Sequence, residues 1–530
     1  MLDENSPGTD INRRLFEITG GRMEPATYYW MDERTRSDPA TVRMIAAIDS
    51  VTAELHLEIN DRDEPLDLDR AMTAIAGLKT EIDAAAAIDN TLKGRADGVF
   101  AQGVHKLGCS PLISKDTVDQ TVDVIVSCIE FGAASPNPQV DHETEANFEE
   151  FASWGSPSAR LEAAEAALDL ALKREEAYPR LQPVIDRMLT DPHPAVRMNT
   201  ALRLIRIWDL DRPGFWTRAS KLVAEEDNRA VLDAFIAQTL GTLIWHGAER
   251  DVADLVLPLL DRLLREDHRN GTIRQHLIQM TLQFWLQFDF PDAKARIDAW
   301  IATSVDHAEE VREAIRWLQN AYTAGLRGLE DNEPAEHRIR AISLLAEAVD
   351  QAGQDLATYG DFSNLTGAQI DRARSAMQII DTACQMLYFS SGAFVNPNDQ
   401  NARSRMTAKG MQVFFAEIAP TLRRIGEHGG PHTVYYLIQL LEHLIEADPA
   451  GVFDLIALAV QRGGRDGGYQ FDSLGADLMV KLVGRYLADH KEIFDDSQRR
   501  NALIDTLETF VAVGWPAIRR LIYRLPELLQ

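Results

Sequence analysis

Three side chains that could do chemistry sit close together in TDPHPAVRMNTALRLI (Thr190–Ile205): Asp191, His193 and Arg197. An acid, an imidazole and a guanidinium on a proline-rich turn could move a proton or hold an anion. A second candidate is RGGRDGG (Arg462–Gly468), where a flexible backbone lies between two arginines. It could cradle an anion, but no strand precedes it, as a phosphate loop requires. It reads as a helix–helix loop with a left-handed cap at Gly463 or Gly464. DHETE (Asp141–Glu145) and EHGGPH (Glu427–His432) gather metal-ligand residue types. The first lies in an acidic, proline-containing stretch read as a linker, which does not hold side chains in convergence. The second reads as a solvated turn.

Motifs that fix a reaction class are missing. The sequence has no HExxH, GxSxG, GxxxxGK[ST] or strand-borne GxGxxG. Its three cysteines, Cys109, Cys128 and Cys384, sit far apart, with no CxxC and no Cys/His ligand spacing expected to bind metal. That is the pattern of a reducing compartment without a disulfide framework or structural zinc. Cys128 and Cys384 fall in apolar helices and read as core thiols. No catalytic residue, cofactor or metal is therefore expected.

Basic clusters fall in the last third, at Arg403, Arg405, Arg423, Arg424, Arg462 and Arg465. Phe389, Phe394, Tyr435, Tyr436, Tyr469, Phe471 and Tyr523 accompany them. Converging, these residues would line a groove for a phosphate-bearing or acidic ligand, and the chain would bind or process nucleic acid. Dispersed, the arginines would be ordinary surface ion pairs.

The elements that must position these residues are helical. LEAAEAALDLALKR (Leu161–Arg174) places Leu161, Ala164, Leu168 and Leu172 on one stripe, and VREAIRWLQNAY does the same with Val311, Ile315, Leu318 and Tyr322. Hairpin signals are absent, so an all-α chain is expected.

The opening stretch recurs. SDPATVRMIAAI carries Asp38, Pro39, Val42 and Arg43; SPSARLEAAEAAL carries Pro157, Ala159 and Arg160. Later copies carry Asp227 and Val231, with Leu232 replacing the Arg; Asp267, Ile273 and Arg274; and Asp306, Val311 and Arg312. The small apolar residue falls at 159, 196, 231, 273 and 311, at intervals of 37, 35, 42 and 38. One helix–turn–helix unit of about 40 residues has that length. A further copy begins near Glu336, in EHRIRAISLLAEA.

Asp-Pro followed by Val-Arg at this period resembles HEAT repeats. The resemblance covers Ser156 to Leu329 and implies an α-solenoid of stacked antiparallel helix pairs. It also implies structural roles: the Asp caps a helix, and the Arg ties neighbouring repeats. Asp191 before Pro192 suits a helix start, where a carboxylate can accept orphan N–H groups. The expected division is an N-terminal helical region at 1–134, a repeat array at 147–345 and a C-terminal helical region with long loops at 346–530. DPAGVFDLIALAVQRGGRDGGYQFDSLGADLMVKLVGRYL (Asp448–Leu487), with the final GWPAIRRLIYRLPELL (Gly514–Leu529), falls in the last ~90 residues and resembles the C-terminal helical regions of large bacterial NTPases, some tied to phage defence. That implies a sensor or partner-binding arm.

Charge narrows the partners. Basic residues number 54 and acidic residues 82, a net charge of −28. Such a surface repels nucleic-acid backbones and anionic membranes. No apolar run approaches ~18 residues, and the N-terminus lacks a secretory pattern. The expectation is a cytoplasmic, non-enzymatic scaffold whose partner is another protein, a subunit encoded nearby.

Overall fold

The computed structural model describes residues 31, 33–57, 66–85, 88–265, 271–327, 335–359, 365–394, 406–466 and 473–512. These form two compact units, Met1–Thr242 and Leu243–Gln530. Among the described residues every regular element is a helix. No described helix is long and apolar enough to cross a membrane.

Unit 1 contains α1 (Pro39–Glu54), α2 (Leu68–Ala84), α3 (Asn90–Cys109), α4 (Asp119–Ala133), α5 (Thr144–Glu150), α6 (Ala159–Lys173), α7 (Tyr178–Leu189), α8 (Pro194–Arg203), α9 (Arg212–Glu225) and α10 (Arg229–Ala234). α10 runs on into a π-helical turn, Phe235–Leu240. Most starts are specified locally. The Asp38 carboxylate accepts the N–H groups of Ala40 and Thr41, at 3.1 and 3.0 Å, and Pro39 begins α1. Asp67, Asp89, Asp211 and Asn228 cap α2, α3, α9 and α10 in the same way. Each cap satisfies donors that the helix cannot pair itself, for about 1 kcal/mol.

Successive helices pack as antiparallel pairs, and α6 lies at the centre, against α3, α4, α7 and α8. The sequence predicts one buried stripe on α6. Instead α6 is buried on every side from Ala159 to Ala171, while Leu172 is 47% exposed. Alanines let its neighbours close in from all directions. α3 approaches through glycine: a Cβ on Gly98 would stand 2.6 Å from the Pro157 carbonyl oxygen. α6 therefore buries Arg160, Glu162, Glu165 and Asp169 beside its apolar residues. Buried charges need partners.

The stretch Ser135–Ala146, read as a linker, is docked. Asn137 accepts from the Arg160 N–H at 3.1 Å, and the Ser135 hydroxyl donates to Asp97 at 3.0 Å. Its acidic end leads into α5, where Glu145 finds a cationic partner described below.

Unit 2 contains α11 (Glu249–Arg265), α12 (Gly271–Phe288), α13 (Pro291–Ala302), α14 (Ala308–Trp317), α15 (Ala335–Ala357), α16 (Gly367–Ser391), α17 (Ala408–His428), α18 (Pro431–Leu444), α19 (Pro449–Asp466), α20 (Ser473–Asp489) and α21 (Ser497–Ala512). The stripe Val311, Ile315, Leu318 and Tyr322 is buried as predicted. A capping box at Thr366 and Gln369 opens α16. Neither Gly463 nor Gly464 forms the expected left-handed cap, because α19 continues through both to Asp466, and 467–468 lie outside the described residues. Each unit is thus a stack of helix pairs, and the fold class is all-α, of α-solenoid type.

Candidate functional site

The repeat residues of unit 1 form one polar ladder. Arg160, at the start of α6, donates two hydrogen bonds to Asp191, at 2.8 and 3.0 Å, and a third to the Ser135 carbonyl at 3.1 Å. Asp191 also accepts from the His193 N–H at 2.8 Å. Arg197, one turn into α8, donates twice to Glu226 at 2.7 and 3.0 Å, twice to Glu145 at 2.9 and 3.1 Å, and once to the Asp191 carbonyl at 2.8 Å. Such two-pronged Arg–carboxylate pairs are the strong, geometrically specific ones. Burial works against the Glu145 charge, but hydrogen bonds from Arg197 and Asn228 outweigh it and hold the carboxyl low.

Two details depart from the sequence reading. Asp191 is a receptor for Arg160 more than a helix cap. The cap of α8 is His193, whose Nδ1 accepts from the Ala195 N–H at 3.2 Å. His193 is half-buried, and burial depresses its pKa. It must be neutral to accept that bond. In the next copy Glu226 takes the acidic role one position before Asp227, which is exposed, and Asn228 caps α10. Leu232, in place of Arg, is fully buried.

In unit 2 Arg274 pairs with the buried Glu310 of α14. Arg312 pairs with Glu309 at 3.2 Å and reaches Thr382 and Gln378 of α16, at 3.3 and 3.4 Å. Asp306 pairs with Arg372 of α16. The copy near Glu336 supplies Arg338, which donates twice to Glu417, at 2.9 and 3.2 Å. Arg43 makes only an exposed pair with Glu81 of α2 at 3.2 Å. Asp267 lies outside the described residues. Among the described residues, none of these converges with the others on an open, reactive site.

The proposed basic groove is only partly described. Arg403 and Arg405 lie outside the described residues, as do Tyr469, Phe471, Tyr523 and the side chains of Arg462 and Arg465. Arg424 is held between Asp350 and Glu427, at 3.2 and 3.1 Å. Arg423 is exposed. Neither joins the aromatic residues.

The aromatic residues do converge. Phe389 meets Phe394 and Tyr388, with ring centres 5.7 and 5.3 Å apart, and Tyr388 meets Tyr436 at 5.3 Å. Tyr436 meets Tyr435 and His432 at 5.8 and 5.1 Å. Most contacts are edge-to-face, the favoured aromatic geometry. Phe394 is 56% exposed and Tyr435 40%. Nearby charge is acidic: Asp381 accepts from His432 at 3.0 Å and Thr433 at 3.1 Å.

One cluster escaped the sequence reading. His105 and Cys109 of α3 face Glu162, Glu165 and Asp169 of α6. The His105 Nδ1 lies 2.9 Å from Glu162 and 3.5 Å from Glu165, and Nε2 lies 3.1 Å from Asp169. The Cys109 thiol donates to the same Asp169 oxygen at 3.0 Å. Burial disfavours the charged ring, but hydrogen bonds with Asp169, Cys109 and Glu162 outweigh it and push the His105 pKa up to about 12. The available signal was HKLGC, a His and a Cys one helical turn apart. Its acidic partners stand 57 and 64 residues away in sequence.

Paired helices tied by an Arg–acid ladder define an all-α helical-repeat fold of α-solenoid type. Compared with solved structures, the chain is similar over 99% of its length to 55% of Kap121p, at 10% identity and a TM-score of 0.29. Two Kap121p mutants match at 12% and 11% identity, with TM-scores of 0.29 and 0.28. The chain spans about half the length of the structures it matches. No family model and no curated protein matches the sequence.

Proposed function

We propose that the chain is a non-catalytic recognition scaffold that binds a basic protein segment through the aromatic patch on α16 and α18. The observation that carries this reading is the patch itself: rings in mutual contact, two of them open to solvent, beside Asp381 in a protein of net charge −28. Aromatic residues dominate the energy of protein interfaces, because they bury large rigid area at low entropic cost. An exposed ring face also attracts arginine and lysine, and the acidic surroundings add long-range attraction to a cationic partner. Arg424, closed off by two acids, is poorly placed to bind phosphate.

The finer assignment follows from the same reading. The chain serves as the partner-binding arm of a multi-component system, with its partner a subunit encoded nearby. The resemblance of the last ~90 residues to NTPase-associated helical regions supports an NTPase of the defence type as that system. Part of that segment, 513–530, lies outside the described residues. The three-region division proposed from the sequence gives this arm the residues from 346 onward.

Affinity purification from the native host, comparing wild type with a Phe394→Ser/Tyr435→Ser variant, tests the proposal. The expected result is a basic protein recovered by wild type, weakened by salt and lost with the variant. Recovery of no protein, with tight nucleic-acid binding at moderate salt, would overturn it in favour of an arginine groove.

A further inference from the structure

We infer that His105, Cys109 and Asp169 form a zinc site that staples α3 to α6. Three donor types converge there: an imidazole nitrogen, a sulfur and a carboxylate oxygen, all within 4.8 Å of one another. A tetrahedral zinc with bonds of about 2.0–2.3 Å holds its ligand atoms roughly 3.3–3.7 Å apart. Asp169 already lies 3.0 Å from the sulfur and 3.1 Å from Nε2. A cation entering between them needs only a small outward movement of side chains.

The surroundings match such a site in three further ways. First, Nδ1 faces the Glu162 carboxylate at 2.9 Å. Once the metal displaces the Nε2 proton now shared with Asp169, the Nδ1–H donated to Glu162 keeps the ring turned with its Nε2 lone pair toward Asp169 and Cys109, as an outer carboxylate does for zinc-bound histidines. Second, charge balances. Arg203 pairs with Glu165 at 2.7 Å and Arg206 with Asp169 at 3.4 Å, which offsets two of the three carboxylates. With both ring nitrogens on carboxylates, the His105 imidazolium offsets the third, and a divalent cation that displaces one proton from His105 and one from the Cys109 thiol leaves that balance unchanged. Third, the cluster opens to solvent at the thiol. Asp169, Glu162 and Glu165 are buried, whereas Cys109 is exposed, so a metal enters past the thiol and keeps a solvent ligand in its fourth position. Thiolate with imidazole and carboxylate selects a borderline cation such as Zn²⁺ over Mg²⁺ or Ca²⁺. Cys128 and Cys384 offer no comparable site, since both are buried and burial raises both thiol pKa values.

Titration of the full chain with Co²⁺, a coloured stand-in for zinc, tests the site. One equivalent is expected to bind with a sulfur-to-cobalt charge-transfer band, which Zn²⁺ then removes by displacement. Cys109→Ser, checked for native helix content by circular dichroism, is expected to abolish the band. Glu162→Gln is expected to keep the band and weaken affinity about 10- to 100-fold. Independently, Zn²⁺ is expected to shield Cys109 of the wild type from alkylation. A wild type without the band, a band that survives Cys109→Ser, or a Cys109 alkylated equally fast with Zn²⁺ would each overturn the assignment.

Discussion

Arg160 with Asp191, and Arg372 with Asp306, are ion pairs at corresponding turns of the repeat, one in each unit. In unit 1 the two side chains are 10% and 3% exposed. In unit 2 they are 47% and 55% exposed. The same Asp-containing turn is thus part of the core in one unit and part of the surface in the other. The difference comes from what surrounds the turn. In unit 1 the docked Ser135–Ala146 stretch and the alanine-rich α6 close over the ladder. In unit 2 the partner, Arg372, stands on the exposed first turns of α16, a helix whose later turns are buried. A repeat motif read from sequence fixes the position of a residue, but burial sets its energetic role.

The largest effect should come from breaking the buried pair. Arg160→Ala leaves Asp191 buried without its cation and should cost about 3–5 kcal/mol in chemical denaturation. Arg160→Met with Asp191→Asn removes both charges and should cost clearly less than the single change. Equal losses would mean that the ladder is not the source of the stability. Next in size, Tyr435→Ala or Phe394→Ala should weaken partner binding about 10-fold or more, the equivalent of at least ~1.4 kcal/mol, with little change in melting temperature.

A smaller effect is set by pH. His193 has its pKa depressed in the folded state, so its contribution is present above the unfolded value near 6.5 and is lost as pH falls below it. Protonating Nδ1 removes the α8 cap, worth about 1 kcal/mol. The stability of the wild type relative to His193→Asn, which keeps a cap acceptor, should therefore fall from pH 7 down to about 5, whereas the raised His105 pKa acts in the opposite sense in both proteins and cancels in the difference. The Glu145 carboxyl, held low, adds a further loss only at lower pH, as it protonates. The smallest effect belongs to Arg43→Ala. Its exposed pair with Glu81 should be worth less than ~1 kcal/mol, shrinking further with salt.

Much of the fold was legible because its signals are local. Asp38 before Pro39 announces a cap, and Val311, Ile315 and Leu318 announce a buried face. The periodic Asp-Pro and Val-Arg copies announce stacking. What escaped was long-range. HKLGC carries its two ligand types in plain view, but only the packing of α3 on α6 brings Glu162 and Asp169 to them. Ser135–Ala146 has the composition of a linker, and only Arg197, some 52 residues from Glu145, reveals why it is held. Phe389, Phe394, Tyr435 and Tyr436 stand out by type, but among the described residues the neighbouring charge is Asp381 and not the arginines close to them in sequence.

The central claim is that repeat residues build the stack while the aromatic patch of unit 2 does the recognising. The most direct test is quantitative partner recovery by three full-length proteins: wild type, Arg160→Met/Asp191→Asn and Phe394→Ser/Tyr435→Ser. The account predicts recovery near the wild-type level for the folded ladder variant and loss for the patch variant. Loss with the ladder variant and retention with the patch variant would contradict it.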